Sequence, residues 1–346
     1  MKNKKKTLLN IIFLVICFSA TMYYVFHDQD FSDIMIYMKE ANSLYWIGGV
    51  LLVIVFILSE SVIIYYLMRS LSQKPKMNHC FLYSFVGFFF SLVTPSASGG
   101  QPAQILFMKK DKLPIHLSTM VLLIVTITYK LVLVIFGLLI MILRPPVEMQ
   151  FLKPAMPWVY LGVFLNVVCV GGMLALVFCP NMTKRMVMAI FRWAKKICKS
   201  PKVDALEGRL EHAMDGYHEA SVYFQNHKRV MVNVLLITLV QRCCLFYITY
   251  LVLLSFGINH IGMVEVVVLQ AMISLAVDML PLPGGMGISE HLFQLIFLPV
   301  CGALLTTPAM IVSRGISYYT QLIISAVFTA IAYLMIFRGN ENDRIL

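Results

Sequence analysis

The sequence predicts an all-α integral membrane protein of about six transmembrane helices plus two re-entrant helical hairpins, arranged as two inverted repeats. Three observations carry this. Hydrophobic residues make up 60% of the 346, charged residues 13%, and the mean hydropathy is +0.82, more apolar surface than a soluble core absorbs. Two stretches rich in proline and glycine, TPSASGGQPAQ at 94–104 and PLPGGMG at 281–287, interrupt apolar segments in the middle. A cation then follows each stretch at nearly the same distance: Gly99 precedes Lys130 by 31 residues and Gly284 precedes Arg314 by 30.

A spanning helix needs about 20 apolar residues. Six segments qualify, at about 7–27, 43–68, 113–143, 157–179, 229–257 and 308–337. The first follows MKNKKK; its length, and the lack of an A-x-A site after it, favour a retained helix over a signal peptide. Segments 80–108 and 265–300 are apolar but broken by the two glycine stretches, and each half is too short to cross alone. Of the 28 basic residues, 22 fall in the N-terminal tail, the 69–79 and 109–112 loops, segment 180–229 and the C-terminal tail, against three in loops 28–42 and 144–156. The positive-inside rule places the first set, and both chain termini, in the cytoplasm.

Both flanks of 80–108 are basic, so that segment enters from the cytoplasmic side and returns. The uncharged flanks of 265–300, with short connections near 258–264 and 301–306, place its entry on the outside. The competing topology replaces each hairpin by a kinked spanning helix. Irregular backbone at membrane depth is tolerated where protein or a polar cavity surrounds it, so the turns are expected to line something. The domain organisation is a single membrane domain over 1–346. Repeat one covers about 7–143 and repeat two about 157–337, a pattern that in transporters puts binding at the repeat interface. A cytoplasmic basic helical insertion is expected at about 180–228, its first helix lying against anionic lipid or, alternatively, forming a solvated linker hairpin.

Three cations lie inside apolar segments: Lys130 in VTITYKLVLVIF, Arg242 in LVQRCCLF and Arg314 in IVSRGISYY. An unpaired cation at the bilayer centre costs about 2.5–3.5 kcal/mol, so such residues face a cavity or a partner. The acids Glu60, Asp278 and Glu290 are the available partners, and internal pairing that merely holds the bundle is the bland alternative. Each returning half-helix starts near the midplane, where free N–H groups and partial positive charge suit an anion. At the first tip Ser98, Gly99, Gly100 and Gln101 lead into Pro102, which suits the first helical position. At the second, Gly284, Gly285 and Gly287 lead through Ser289 into Glu290. With Lys130, Arg242 and Arg314 these residues describe a buried site for a lipid phosphate. Asp278, Glu290 and Glu60 are the candidates to meet an ammonium group.

The eight cysteines form no C-x-x-C pair, and His212 and His218 have no recognised ligand spacing, so no metal site or disulfide framework is read. G-x-S-x-G, Walker and H-E-x-x-H motifs are absent, so no catalytic residues and no cofactor are assigned.

TPSASGGQPAQ followed by KK, then PLPGGMGISE, then SRGISYY together resemble the signature segments of the lysylphosphatidylglycerol synthase transmembrane-domain family, over nearly the whole chain. The first motif departs from that pattern: Ser96 and Ala97 stand where a more glycine- or arginine-rich turn is common, and Gln101 where an acid often appears. In full-length members a flippase domain moves aminoacylated phosphatidylglycerol to the outer leaflet, and a cytosolic domain makes that lipid from aminoacyl-tRNA. The resemblance therefore implies a multi-pass protein of the bacterial cytoplasmic membrane that flips a phosphate-bearing polar lipid, with a role in resistance to cationic antimicrobial peptides. ENDRIL closes the chain just past the last helix, so a stand-alone member without the synthase domain is expected. The rivals are a phosphatidylglycerol lysyltransferase and a non-transporting membrane partner. An anionic or aminoacylated phospholipid is the expected partner, nucleic acid only under the synthase reading, and a homo-oligomer is compatible with the sequence.

Overall fold

The computed structural model describes residues 31–197 and 202–338. The helix predicted at 7–27 and the last eight residues lie outside them. Among the described residues the regular structure is entirely helical, and five stretches are long and apolar enough to cross a membrane: Leu44–Ser70, Ile115–Leu143, Glu148–Phe178, Lys228–Ser255 and Pro283–Ile336.

In chain order, α1 (Phe31–Glu40) precedes the first described span, α2 (Leu44–Ser70). The first hairpin is α3 (Met77–Val93) and α4 (Gly100–Lys110), followed by the span α5 (Ile115–Leu143). A short α6 (Pro146–Leu152) leads to the span α7 (Met156–Phe178). Two polar helices follow, α8 (Pro180–Ile197) and α9 (Lys202–Asn226), then the span α10 (Lys228–Ser255). The second hairpin is α11 (Met263–Val277) and the start of α12 (Ile288–Arg314), and α13 (Gln321–Ala332) completes the last span after a π-helical stretch, Gly315–Thr320.

Prolines and glycines set the breaks. Pro114 and Pro145 stand at the N-caps of α5 and α6 in extended backbone, where a missing N–H costs no helical bond. Two segments expected as loops are partly helical, α1 within 28–42 and α6 within 144–156. Their sequences carry charges that hide a short helix from a hydropathy scan. The connection expected near 301–306 is instead one kink at Gly302 (φ 71°, ψ 168°) inside α12, so the returning half of the second hairpin runs directly into the last span.

Helices apolar all round cannot choose a face by hydrophobicity in lipid; close packing and buried polar bonds choose it. Two packed cores result. One gathers Val53, Phe56 and Ile57 of α2 and Val252 and Leu253 of α10 around the second hairpin. The other gathers Ile63, Ile64, Leu67 and Met68 of α2 and Val234 of α10 around the first. The two hairpins therefore occupy opposite ends of the same through-running helices. Gln241 Nε2 donates to the Phe56 carbonyl at 2.9 Å and ties α10 to α2 midway between the cores.

Candidate functional site

The two hairpin tips meet each other. Ser96 Oγ donates to the Leu280 carbonyl at 3.3 Å, and the Tyr318 hydroxyl donates to the Leu92 carbonyl at 3.0 Å. Around this junction α2, α3, α4, α5, α7, α10, α11 and the last span line a half-open cavity of about 490 Å³, within the range of small-molecule sites.

Both tips follow one backbone path. An extended residue (Thr94, Leu282) is followed by proline (Pro95, Pro283) and then by two residues at positive φ. In the second tip those two are Gly284 (φ 57°) and Gly285 (φ 67°); in the first they are Ser96 (φ 50°) and Ala97 (φ 52°). Left-handed backbone costs a residue with a Cβ roughly 1–2 kcal/mol. Non-glycine residues held there concentrate at functional turns.

The half-helices then begin. α4 starts at Gly100, not at Pro102 as the sequence predicts; Pro102 is its third residue. First-turn N–H groups have no intrahelical acceptor, so proline is accommodated there as well. Gly100 permits the earlier start because α3 approaches closely: a Cβ at that position would lie 2.7 Å from the Gly87 carbonyl oxygen. The Gly99 N–H is held by Thr94 Oγ1 at 2.9 Å. α12 starts at Ile288, and Glu290 folds back to accept the Gly287 N–H at 2.7 Å. A carboxylate of the chain itself thus sits at this helix N-terminus, where it is electrostatically favoured.

Glu290 also accepts from Arg314 Nε at 2.7 Å, and Arg314 donates to the Gly284 carbonyl at 2.9 Å. Arg314 therefore clamps the second tip from the last span. Lys130 Nζ meets Asp278 Oδ2 at 2.5 Å, with side chains 10% and 7% exposed, and the Tyr129 hydroxyl donates to the other Asp278 oxygen. This pair joins α5 of the first half to the end of α11 in the second. Buried pairs of this kind are expensive to break because one charge would be left alone.

Arg242 stands apart. Its guanidinium lies 3.5 Å from the Tyr129 ring centroid and 5.0 Å from that of Phe56, and its buried Nε has no hydrogen-bond partner. Among the described residues no carboxylate lies within ion-pair distance of it. Stacking on aromatic faces leaves a guanidinium's edge donors available to a ligand. Glu60 is held by a neutral group, accepting from Gln104 Nε2 at 2.8 Å.

Of the sequence-derived candidates, Glu60, Ser98, Gln101, Lys130, Arg242, Asp278, Gly284, Gly285 and Arg314 line the cavity. Gly99, Gly100, Gly287 and Glu290 lie behind its wall, Glu290 reaching it through Arg314. Gln101 is turned toward α5, where its amide bonds Thr126 Oγ1. Sequence reasoning missed Tyr129, Gln104 and Tyr318. Adjacency to Lys130 in TYK and the SYY after Arg314 were the only signals for the two tyrosines, and Gln104 was marked only as the last residue of TPSASGGQPAQ.

An all-helical bundle with five apolar spans, whose broken hairpins line a half-open cavity holding Lys130, Arg242 and Arg314, defines a polytopic membrane protein. A sequence-family model described as Lysylphosphatidylglycerol synthase TM region matches residues 9–325. The chain belongs to that family. No curated protein matches it.

Proposed function

We propose that the protein flips a phosphate-bearing polar lipid, such as aminoacylated phosphatidylglycerol, across the bacterial cytoplasmic membrane, with its termini in the cytoplasm. The observation that carries this is Arg242: a half-buried guanidinium on an aromatic platform, its buried Nε without a partner, lining a cavity in which the other two cations are already paired. A phosphodiester is the group that such a cation lacks. Glu60, bonded to a neutral amide, is the carboxylate best placed to meet an ammonium, since Asp278 and Glu290 are engaged. A headgroup carrying both charges matches this pair of groups, and its acyl chains remain in lipid.

The inverted repeat read from the sequence belongs to this proposal, because such a repeat supports an alternating mechanism. α2 packs on α10, α3 packs on α13 and α11 packs on α5, the exchange that two equivalent halves produce. The Lys130–Asp278 pair and the tip contacts cross between the halves, so they would break and reform as the site changes face. The same role in the envelope would support resistance to cationic antimicrobial peptides.

The test is leaflet exchange. Purified protein in proteoliposomes should accelerate exposure of NBD-labelled phosphatidylglycerol to dithionite relative to protein-free vesicles. Arg242→Met, inserted at equal amount, should slow exchange roughly tenfold or more, the worth of a charge-assisted hydrogen bond. Exchange no faster than in protein-free vesicles would sink the proposal. Formation of aminoacylated lipid from aminoacyl-tRNA by the purified chain would establish the transferase reading instead.

A further inference from the structure

The helix α8 plays no part in the cavity, yet its surface is divided in a way that a solvated helix has no use for. One face packs inward: Thr183 and Met188 are buried, and Thr183 Oγ1 donates to the Leu176 carbonyl at 3.0 Å. Lys184, near this face, reaches Asp215 of α9 at 2.6 Å. At about 100° per residue, Met182, Met186, Ile190 and Trp193 share a stripe roughly 80° wide on another face. They are 66%, 44%, 58% and 67% exposed. Arg185 and Arg192, both exposed, flank that stripe on one side.

The level of this helix relative to the bilayer is set by its neighbours. The span α7 ends at Phe178 and α8 begins at Pro180, so only Cys179 separates hydrocarbon from α8. The join is rigid, because α9 satisfies the open carbonyls at the end of α7. The Tyr217 hydroxyl donates to Leu176 O at 3.3 Å, Gln225 Nε2 donates to Val177 O at 3.0 Å, and Ser221 Oγ donates to the same oxygen. A helix pinned at the end of a span, with an apolar stripe bordered by arginines, has the layout of an interfacial helix on an anionic surface.

We infer that α8 is an anionic-lipid-binding surface: the Met182–Trp193 stripe enters the acyl boundary while Arg185 and Arg192 hold phosphate headgroups. Met173 of α7 lines the cavity and lies five residues before the end of the span, about 8 Å along the axis. The surface therefore gathers anionic lipid close to the approach to the site. This binding is independent of the flipping reading, and its test involves no transport.

The test uses the full chain in nanodiscs of phosphatidylcholine, alone or mixed with phosphatidylglycerol. Trp193 emission is isolated as the difference between wild type and Trp193→Phe, with lipids brominated along the acyl chain as quenchers. Quenching at shallow depth, stronger in the phosphatidylglycerol discs, is expected. Arg185→Gln with Arg192→Gln should lower the preference for the anionic lipid by roughly fivefold per arginine at low salt, leaving the protein folded. Trp193 unquenched in both compositions overturns the inference. So does emission shielded only as protein concentration rises, which would mean that a second copy covers the stripe. Quenching equal in both compositions and unchanged by the arginine substitutions overturns the anionic part.

Discussion

The two hairpin tips share one backbone path and differ in how they are held. The second is buried at Pro283, Gly285 and Met286, built from glycine where φ is positive, and clamped by Arg314 through Glu290 and the Gly284 carbonyl. The first exposes Ser96, Ala97 and Ser98 to the cavity, keeps side chains at positive φ, and is held by neutral bonds that Gly99 donates to Thr94 and Ser96 donates to Leu280. One tip is a fixed abutment and the other an open, strained turn facing the site. The difference teaches that the two tips share their backbone geometry but not their bracing: an ion pair grips the second at its tip, whereas the ion pair of the first, His79 with Asp111 at 2.6 Å, lies at the far end of its arms, so the first tip is the less constrained of the two.

The largest effect should come from the clamp. Arg314→Ala leaves Glu290 buried without its cation and should cost about 3–5 kcal/mol, read as loss of the folded species in a thermal melt in detergent. Glu290→Gln in the same background should recover much of that loss. Ser98→Ala on the open tip should leave the melt unchanged. Equal sensitivity of the two tips would remove the distinction between them.

Next comes Gly284→Ala. A Cβ there would overlap the Tyr318 ring, whose Cζ would be 2.7 Å away, and would sit at φ 57°. Overpacking and left-handed strain together should cost about 2–4 kcal/mol. Because Tyr318 also bonds Leu92 of the first hairpin, this variant should loosen the contact between the tips as well. Faster hydrogen exchange at the start of α4 would show it; exchange changed only in α12 would confine the damage to one half.

Glu60→Gln probes the cargo rather than the scaffold. If its carboxylate meets an ammonium, the variant should lower exchange of lysyl-phosphatidylglycerol roughly tenfold, with little change for phosphatidylglycerol, since a hydrogen bond to a charged group is worth about 1.5–3 kcal/mol. Equal loss for both lipids would make Glu60 a packing residue held by Gln104.

The smallest effect, and the one of opposite sign, belongs to Ala97→Gly. Relief of left-handed strain, less the extra entropy of glycine in the unfolded chain, should raise stability by about 0.5–1 kcal/mol. A higher melting temperature with slower lipid exchange would mark the strain at the first tip as functional. A fall in melting temperature would mean that Ala97 makes a contact worth more than its strain.

Much of this architecture could be read from the chain directly. The spans expected at 43–68, 113–143 and 229–257 are found at Leu44–Ser70, Ile115–Leu143 and Lys228–Ser255, because membrane-spanning length is a local property of composition. The turns at Pro95 and Pro283 were legible for the same reason: proline and glycine constrain backbone wherever they stand. Trp193 and its neighbours on α8 were visible as interleaved basic and apolar residues. The helical content of α1 and α6 was not, since short polar helices are decided by what they pack against. Nor was the continuity of α12 through Gly302, where one residue's φ replaces a loop.

For the site, sequence alone determined which charges lie at membrane depth: Lys130, Arg242 and Arg314, with Glu60, Asp278 and Glu290 as the acids. Only the tertiary structure decided their partners. Lys130 and Asp278 stand 148 residues apart, Glu290 and Arg314 are 24 apart, and no spacing rule distinguishes those pairings from Lys130 with Glu60 or Arg242 with Asp278. The outcome depends on where rigid helices bring each side chain, and a low-dielectric interior then rewards contacts at a few ångströms and penalises whatever is left over. That competition left Arg242 stacked on Tyr129 without a carboxylate in contact, a remainder set by packing and by no spacing in the sequence.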